Sequence, residues 1–288
     1  MSSAPKTVEP RAPPAMPRLA DAPDSFHERD ARITFDEPTH IYYLDGSHPF
    51  RISCTGYVHG FFPHFDAKGT ARRLAAKPDA MKKPEYVGKT AEQLEQMWKE
   101  SGNKASSYGT RMHFNIETFF KTGSMPAEFP TPEDVVEWNQ FVDFLEQVMV
   151  PYGWEPWRSE WRVFDEELDL AGSIDFVVRT KDPETGEYVF LILDWKRAKE
   201  LADRSFNGRE MGKPPLHDLQ HCNSVHYSLQ LNTYKYMLEK NYGIRVVGLA
   251  LVAMHGEVRT EYEFKACPDM PEHVARMVDD RKAKLGKK

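Results

Sequence analysis

The chain has 288 residues, 40% of them hydrophobic, and a net charge of −6, which suits one large domain or two small ones. No apolar run is long enough to span a bilayer and no signal-peptide pattern is visible, so neither membrane insertion nor secretion is expected. The three cysteines lie far apart in the sequence, which predicts reduced thiols in an intracellular compartment: cytoplasm, nucleus or nucleoid. A polyanionic partner would have to be met by local basic patches, because the overall field is repulsive.

The two ends of the chain differ in composition from its middle. Residues 1–28 are rich in proline, alanine and serine, and we expect them to be a disordered tail. These prolines also make the segment a poor match to a mitochondrial leader, which is a basic amphipathic helix. Residues 29–285 are expected to form a single domain, with a helical part at about 55–150 and a catalytic core at about 105–265. Residues 286–288 would end it as a basic tail.

Short elements are predicted before the helical part. The segments Arg32–Phe35 and His40–Leu44 have the pattern of strands, with a turn signal after each. Ser53 and Thr55 would cap a helix that follows at about 57–65. They either leave free amide groups that favour phosphate at the start of this helix, or they serve as caps alone.

Three helices are predicted in the middle of the chain: Thr90 to about Glu100, Ser106 to Lys121, and Thr131 through Val150. In the second of these, His113 and Glu117 lie four residues apart and hence on one face, beside the apolar stripe. Two titratable groups in this place are either metal ligands or a hydrogen-bonded pair at the surface.

A hairpin with acidic residues is the most informative stretch of the sequence. Its strands are Leu168–Val178, with Leu168, Leu170, Ile174, Phe176 and Val178 on one face, and Tyr188–Lys196. A hairpin centred on the turn signal between them would place Asp175 directly opposite Asp194, with Cα atoms roughly 4.5–5.5 Å apart. The period of two puts Asp194 and Lys196 on one face of their strand.

Two carboxylates this close cannot both stay ionised unless a cation lies between them, and magnesium or manganese suits oxygen ligands. The alternative is a cross-strand pair of surface acids that Lys196 alone relieves, which a slip of one residue in register would favour. A strand predicted at Arg158–Phe164 would place Glu160 opposite Ser173, on the face of Asp175. Glu160 is therefore either a third acid of the site or an ordinary edge-strand glutamate.

The stretch from Lys196 to about Asn223 has no periodic pattern and is predicted to be a long loop. Loops of this length are commonly functional lids or disordered segments. Basic side chains favour contact with a polyanion, and those of this stretch are Arg197, Lys199, Arg204, Arg209 and Lys213. A zinc site is a further interpretation, but a second, separated ligand pair is missing from its candidates, His217, His221, Cys222 and His226.

Four segments then fall into a recognisable order: Gly109-Thr-Arg-Met-His113, Gly172-Ser-Ile-Asp175, Asp194-Trp-Lys196 and Gln230-Leu-Asn-Thr-Tyr234. Together they resemble the PD-(D/E)XK nuclease superfamily, and within it the RecB-like exonuclease branch. The likeness covers about residues 105–240. It implies an α/β fold with a restriction-endonuclease-like core, in which helices flank a mixed central β-sheet and the N-terminal part is α-helical.

The resemblance also implies roles for individual residues. A Mg²⁺ or Mn²⁺ ion would be held by His113, Asp175, Asp194 and the backbone carbonyl of Trp195, with Glu117 and Glu160 as further candidates. Lys196 would orient or activate the attacking water, while Gln230 and Tyr234 would brace this lysine and the scissile phosphate. Some relatives hold an iron–sulfur cluster with four cysteines, and no such cluster is expected in a chain with three.

The function implied is a metal-dependent DNA nuclease, an exonuclease or end-processing enzyme of replication, repair or recombination. Its partners would be single-stranded DNA or duplex ends, together with a replication or recombination protein. Two alternatives stay open. One is a nucleic-acid-binding module of the same fold without turnover, and the other is a metal-independent hydrolase that uses Asp175 and Asp194 as an acid/base pair.

Overall fold

A computed structural model describes residues 8–19, 26–77, 83–206 and 208–286. The predicted basic end of the chain lies mostly outside these residues, as does part of the predicted N-terminal tail. In the described residues, no helix is long and apolar enough to cross a membrane.

A mixed sheet forms the centre of the fold, and six of its strands lie in the described residues. The strands are β4 (Ile52–Ser53), β5 (Glu155–Asp165), β6 (Leu170–Lys181), β7 (Tyr188–Arg197), β8 (Val246–Met254) and β9 (Glu263–Ala266). They lie in the order β4-β6-β7-β8-β9, and β5 also pairs with β6. The pairs β4–β6 and β7–β8 are parallel, and the others are antiparallel.

Helices cover both faces of this sheet. The helices on the sheet are α1 (Cys54–Gly60), α3 (Ala91–Thr122), α4 (Pro132–Phe144), α5 (Asn223–Asn241) and α6 (Pro271–Gly286), while α2 (Ala67–Ala75) packs against α3. One hydrophobic core joins α1, α5 and α6 to the sheet, and a second joins α3 and α4 to its other face. The coarse prediction of an α/β fold, with helices on both sides of a mixed sheet, is confirmed.

A small antiparallel sheet stands beside the main one. It contains β1 (Ile33–Asp36), β2 (Ile41–Leu44) and β3 (His48–Pro49), close to the predicted bounds of the first two strands. Ile33 of this sheet and Phe50, just after it, pack against Phe164 of β5 and Ala171 of β6. This contact holds the small sheet against the edge of the main sheet where β5 lies.

The predicted register of the acidic hairpin is confirmed. Residues pair from Lys181 with Tyr188 to Phe176 with Leu193. Asp175 and Asp194 follow one step past the last of these pairs, opposite each other as the turn signal predicts. The turn is fixed locally, because Asp182 accepts hydrogen bonds from the backbone amides of Glu184 and Thr185.

The predicted register of the preceding hairpin is wrong by two residues. Ser173 pairs with Arg162 and not with Glu160. The turn lies one residue later than expected and includes Asp169 at φ 49°. Separately, Glu160 has φ 46°, and the pairing of β5 with β6 is interrupted at this residue. A slip of two residues preserves the face of a strand, so Glu160 still lies on the side of Asp175.

The predicted alternation along β6 is also wrong in part. Leu168, Leu170 and Ile174 pack in the core of α5, whereas Phe176 and Val178 pack in the core of α3 and α4. The change of side falls at Asp175, beside the interruption at Glu160. Asp175 therefore lies at the point of β6 where the apolar side chains change from one hydrophobic core to the other.

Two further expectations were wrong. The helices predicted at about Thr90–Glu100 and at Ser106–Lys121 are one continuous helix, α3, because Gly102 does not interrupt it. The N-terminal segment at 8–19, expected to be disordered, lies partly against α4. There Arg11 accepts a hydrogen bond from the Trp138 indole at 2.9 Å and donates its amide to Asn139 at 2.8 Å.

Candidate active site

The end of the acidic hairpin brings two carboxylates and an ammonium group together. Asp175 accepts a hydrogen bond from the backbone amide of Trp195 at 3.1 Å, which ties it to the strand that carries Asp194. Asp194 is 2% exposed, and its Oδ2 lies 2.5 Å from the Nζ of Lys196. The strand period thus places Asp194 and Lys196 side by side at the end of β7, as the sequence predicts.

Two more titratable groups reach this point from other elements. His113 comes from α3 and Glu160 from β5, and His113 Nδ1 lies 3.7 Å from Asp175 Oδ2 and 3.8 Å from Glu160 Oε1. In the described residues, His113, Glu160 and Asp175 form a group in which one ligand atom of each lies within 4.8 Å of the others. Glu160 is further held by the Ser173 hydroxyl, which donates to it at 3.2 Å.

The tautomer of His113 follows from its second contact. Its Nε2 lies 2.9 Å from the carbonyl oxygen of Trp195, and a carbonyl only accepts hydrogen bonds, so Nε2 carries a proton. The lone pair of the neutral ring is then on Nδ1, which faces Asp175 and Glu160. A hydrogen bond of this kind is the usual way in which proteins orient a metal-binding imidazole.

The carbonyl of Trp195 was expected to bind the ion directly, but here it accepts the hydrogen bond from His113. Glu117, the other candidate on α3, lines a cleft together with His113 and Glu160, and it pairs with Lys121 at 2.5 Å. It lies outside the group formed by His113, Glu160 and Asp175. The donor set that the structure assembles is therefore one imidazole nitrogen and carboxylate oxygens, which fits a divalent cation of the hard to borderline class.

The acids of the site shift each other's titration. Burial raises the pKa of Asp194 to about 7, Asp175 acts in the same direction, and Lys196 opposes both. The pKa of Lys196 is raised by Asp194 and Asp175, which outweigh its burial. Burial lowers the pKa of His113, but Asp175 and Glu160 outweigh this and raise it to about 9. The pKa shifts of Lys196 and His113 reflect the negative charge of the neighbouring acids, which a bound cation would reduce.

The residues expected to brace Lys196 lie elsewhere in the site. Gln230 contacts the Tyr234 hydroxyl at 3.5 Å and Thr55 at 3.4 Å, and Tyr234 lies against Gly172. A side chain at Gly172 would overlap the Tyr234 hydroxyl, whose oxygen lies 2.7 Å from an added Cβ, so glycine is required there. The ring that faces Lys196 belongs to Tyr227, with Nζ 4.8 Å from its centroid. Tyr227 precedes Gln230 by one turn and was not predicted as a site residue.

The predicted nucleic-acid-binding residues fall into two groups. Arg197 is turned away from the cleft, because its side chain is 6% exposed and pairs with Glu137 at 2.6 Å. The structure therefore does not offer Arg197 to nucleic acid. Ser53 caps α1 by accepting from the amide of Gly56 at 3.1 Å. The remaining basic residues of the loop are exposed: Lys199, Arg204, Arg209 and Lys213. Of these, Lys213 donates to the carbonyl of Gly60.

The pair formed by Arg197 and Glu137 is the centre of a second charged cluster, on the opposite face of β7. Glu137 is 2% exposed and also accepts from the amide of Gly256 at 2.9 Å. Arg197 lies over the ring of Tyr108 and 3.3 Å from His255 Nε2. Burial lowers the pKa of His255 to about 4, and Arg197 acts in the same direction. This cluster ties α3, α4 and the ends of β7 and β8 together.

The histidines considered for zinc do not assemble a ligand set within the described part of the chain. His221 and His226 stack on each other with centroids 5.1 Å apart, and Phe62 lies 4.0 Å from His226. Cys222 is the residue that precedes α5. Stacked rings against an aromatic residue are the packing of a core, and the zinc interpretation is not supported by this arrangement.

A cleft of about 590 Å³ reaches the group at His113 and Glu160, which line it. Among its lining residues, Arg162, Phe114 and Tyr42 were not predicted as site residues. Phe114 is 63% exposed although it is apolar, and it directly follows His113. The alternation along β5 places Arg162 on the side of Glu160, which was the available sequence signal for it.

Comparison with known proteins leaves the site to be interpreted from its geometry. No protein-family model matches the chain, and no curated protein is significantly similar to it.

Proposed function

We propose that the protein is a Mg²⁺- or Mn²⁺-dependent nuclease of the PD-(D/E)XK type, with a restriction-endonuclease-like core. Its substrate would be DNA, hydrolysed at phosphodiester bonds during replication, repair or recombination by exonucleolytic or end-processing cleavage. The observation that carries this proposal is the convergence of His113, Glu160 and Asp175 beside the buried pair of Asp194 and Lys196.

The composition of this group favours a metal site over a structural ion pair. Three carboxylates, those of Asp175, Asp194 and Glu160, meet one lysine and one histidine, so the acids outnumber the basic groups. A structural cluster would be expected to neutralise its charges, because uncompensated buried charge is costly. The ligand candidates are therefore His113, Glu160, Asp175 and Asp194. A divalent ion held there would supply positive charge to a phosphoryl oxygen and would acidify water.

The other side chains supply the remaining parts of hydrolysis. The ammonium group of Lys196 lies beside Asp194 and can donate a hydrogen bond to a phosphate oxygen or to the attacking water as charge develops. The ring of Tyr227 restricts where this ammonium group can lie. The Trp195 carbonyl holds the imidazole of His113 in one orientation. The mixed sheet with helices on both faces is the coarse form of the core that the proposal requires.

Cleavage of labelled DNA by purified protein, with Mg²⁺ or Mn²⁺ and in chelator, tests the proposal. We expect cleavage only with metal, and a loss of at least about 100-fold in Asp194→Asn, since even the partners of metal ligands are worth about 10–100-fold. A matched control is Asp143→Asn, which removes an acid of α4 that pairs with Arg11 and lies outside the group of His113, Glu160 and Asp175. This control should cleave like the wild type.

Three outcomes would contradict the proposal in different ways. Equal cleavage by wild type and Asp194→Asn would show that the activity belongs elsewhere. DNA binding without cleavage under every metal would identify a non-catalytic binding module. Activity that persists in chelator would point to a metal-independent acid/base pair.

A further inference from the structure

Two cavities meet at β5, and one of them lies outside the site described so far. The cleft over the acidic group continues past Glu160 and Arg162 into a second, open cavity of about 370 Å³. Trp157, Trp161 and Arg158 line this second cavity, together with Lys121 at the end of α3. Glu160 and Arg162 line both cavities, so the two cavities adjoin at these side chains.

Arg162 is distinguished by what its charge contacts. Arg158 pairs with Asp30 at 2.5 Å and Lys121 pairs with Glu117 at 2.5 Å, so both of these cations are neutralised by the protein. In the described residues, no carboxylate lies within ion-pair distance of Arg162, whose guanidinium is 5.9 Å from the ring of Phe35. An exposed arginine without an acid partner, at the junction of two cavities beside an acidic site, is suited to bind a phosphate from the side opposite the metal ligands.

Aromatic side chains stand in the cleft on one side of this arginine. Phe114 is 63% exposed at the cleft, and the rings of Phe35 and Tyr42, which contact each other at a tilt, form another part of its wall. Aromatic faces bind unpaired bases by stacking, which a duplex does not permit because its bases are stacked on each other. Both cavities have volumes in the usual range for small ligands, roughly 300–1,000 Å³, which suits single nucleotides.

We propose that the second cavity is a subsite for the nucleotide adjacent to the scissile bond, and that Arg162 holds the phosphate between the two cavities. The substrate is then a strand whose bases are unpaired across β5, and Phe114 stacks on the base in the cleft. This inference rests on the proposed function, since it takes the cleft as the place where nucleic acid is bound.

Binding of a labelled oligonucleotide to the full chain, measured by fluorescence anisotropy, tests the inference separately from catalysis. The same sequence is used as a single strand and as a blunt duplex, in calcium and at one fixed ionic strength. We expect the single strand to bind at least about fivefold more tightly, the lower end of what one stacked base contributes. Arg162→Ala and Phe114→Ala should each weaken single-strand binding by a similar factor and change duplex binding less than twofold.

Matched controls are Phe26→Ala and Arg245→Ala, which remove an exposed phenylalanine and an exposed arginine that line neither cavity. Both should bind like the wild type, and melting curves confirm that all four variants are folded. Equal or tighter binding of the duplex would overturn the inference, as would losses in Arg162→Ala and Phe114→Ala no larger than in the controls. If the wild type cleaves DNA but shows either of these contrary binding results, the subsite inference fails and the nuclease proposal is kept. If it binds as expected but never cleaves, the nuclease proposal fails, and only the binding of an unpaired strand across the two cavities is supported.

Discussion

The two faces of the sheet at the end of β7 both carry charged residues, but positive and negative charges are matched on one face only. On one face, Arg197 and Glu137 form a buried pair of one cation and one anion, and the backbone amide of Gly256 donates to the same carboxylate oxygen. On the other face, Asp194 and Lys196 are joined by Asp175 and Glu160, and the acids outnumber the lysine. Consecutive residues of one strand thus serve two purposes. Loss of either partner from a buried pair destabilises a domain, whereas acids brought together without enough cations indicate a candidate site.

The two histidines at these clusters show the same contrast. His113 faces acids, and its pKa is raised to about 9 although burial alone would lower it. His255 is buried beside Arg197, and its pKa is lowered to about 4. The imidazole of His113, beside the acids, therefore favours the protonated form, whereas that of His255, beside Arg197, favours the neutral form.

The largest expected effect on stability comes from breaking the buried pair of Arg197 and Glu137, on what is here called the closed face of β7. Glu137→Gln leaves Arg197 buried without its counter-charge, and loss of one partner of a buried pair costs about 3–5 kcal/mol. Denaturant unfolding measures this loss. The control Glu146→Gln removes an exposed acid paired with Arg11, and should cost less than about 1 kcal/mol. Similar losses in the two variants would contradict the assignment of the closed face to stability.

The acidic hairpin could be predicted from the sequence because its signals are local. The turn residues fix the centre of the hairpin, and the period of two then fixes which residues face each other. The register of β5 was predicted wrongly because its turn lies one residue later than expected and includes Asp169 at positive φ, which an aspartate does not signal. One such residue in a turn is enough to move the pairing.

Residues that depend on distant elements could not be placed in this way. In the sequence, Arg197 belongs to a basic loop, and only the position of α4 in the fold shows that it pairs with Glu137. Tyr227 was missed for a related reason, since the rotation of α5 over β7 decides which of its side chains faces Lys196. His113 was placed by its resemblance to a family motif, and its contact with Glu160 required the fold.

Metal binding should distinguish the two faces next most strongly. Addition of Mn²⁺ at about 100 times its dissociation constant should stabilise the wild type by about 2.7 kcal/mol. Asp175→Asn should abolish this gain, because it removes a ligand candidate, while it leaves the metal-free protein as stable as the wild type or more so. Thermal unfolding with and without metal measures both quantities. A variant that keeps the full gain would show that the cation binds elsewhere.

The pH dependence of stability should differ between the two histidines, measured in chelator. The folded-state pKa of His255 lies below the ordinary 6.5, so the unfolded chain binds the proton first and stability falls as the pH drops from about 6.5 to 4. The folded-state pKa of His113 lies above 6.5, so its contribution is complete below that pH and is lost as the pH rises to about 9.

Each window should carry on the order of 3 kcal/mol, because each folded-state pKa departs from 6.5 by roughly 2.5 and one pKa unit corresponds to about 1.4 kcal/mol. His255→Gln should flatten the unfolding free energy on the acid side alone, and His113→Gln on the alkaline side alone. If either substitution flattens the other window instead, the assignment of charge to the two faces is wrong.

The smallest expected effect concerns the carboxylate that lies beside the acidic group without joining it. Glu117 is paired with Lys121 across one turn of α3, and such pairs contribute roughly 0.2–0.5 kcal/mol. Glu117→Gln should therefore change the stability of the metal-free protein by less than this, and should change the affinity for Mn²⁺ less than twofold. Glu160→Gln, which removes a member of the group around His113, should weaken Mn²⁺ binding about 10–100-fold. Titration of both variants by calorimetry separates the two glutamates, and an equal loss in Glu117→Gln would restore it as a metal ligand, as the sequence suggested.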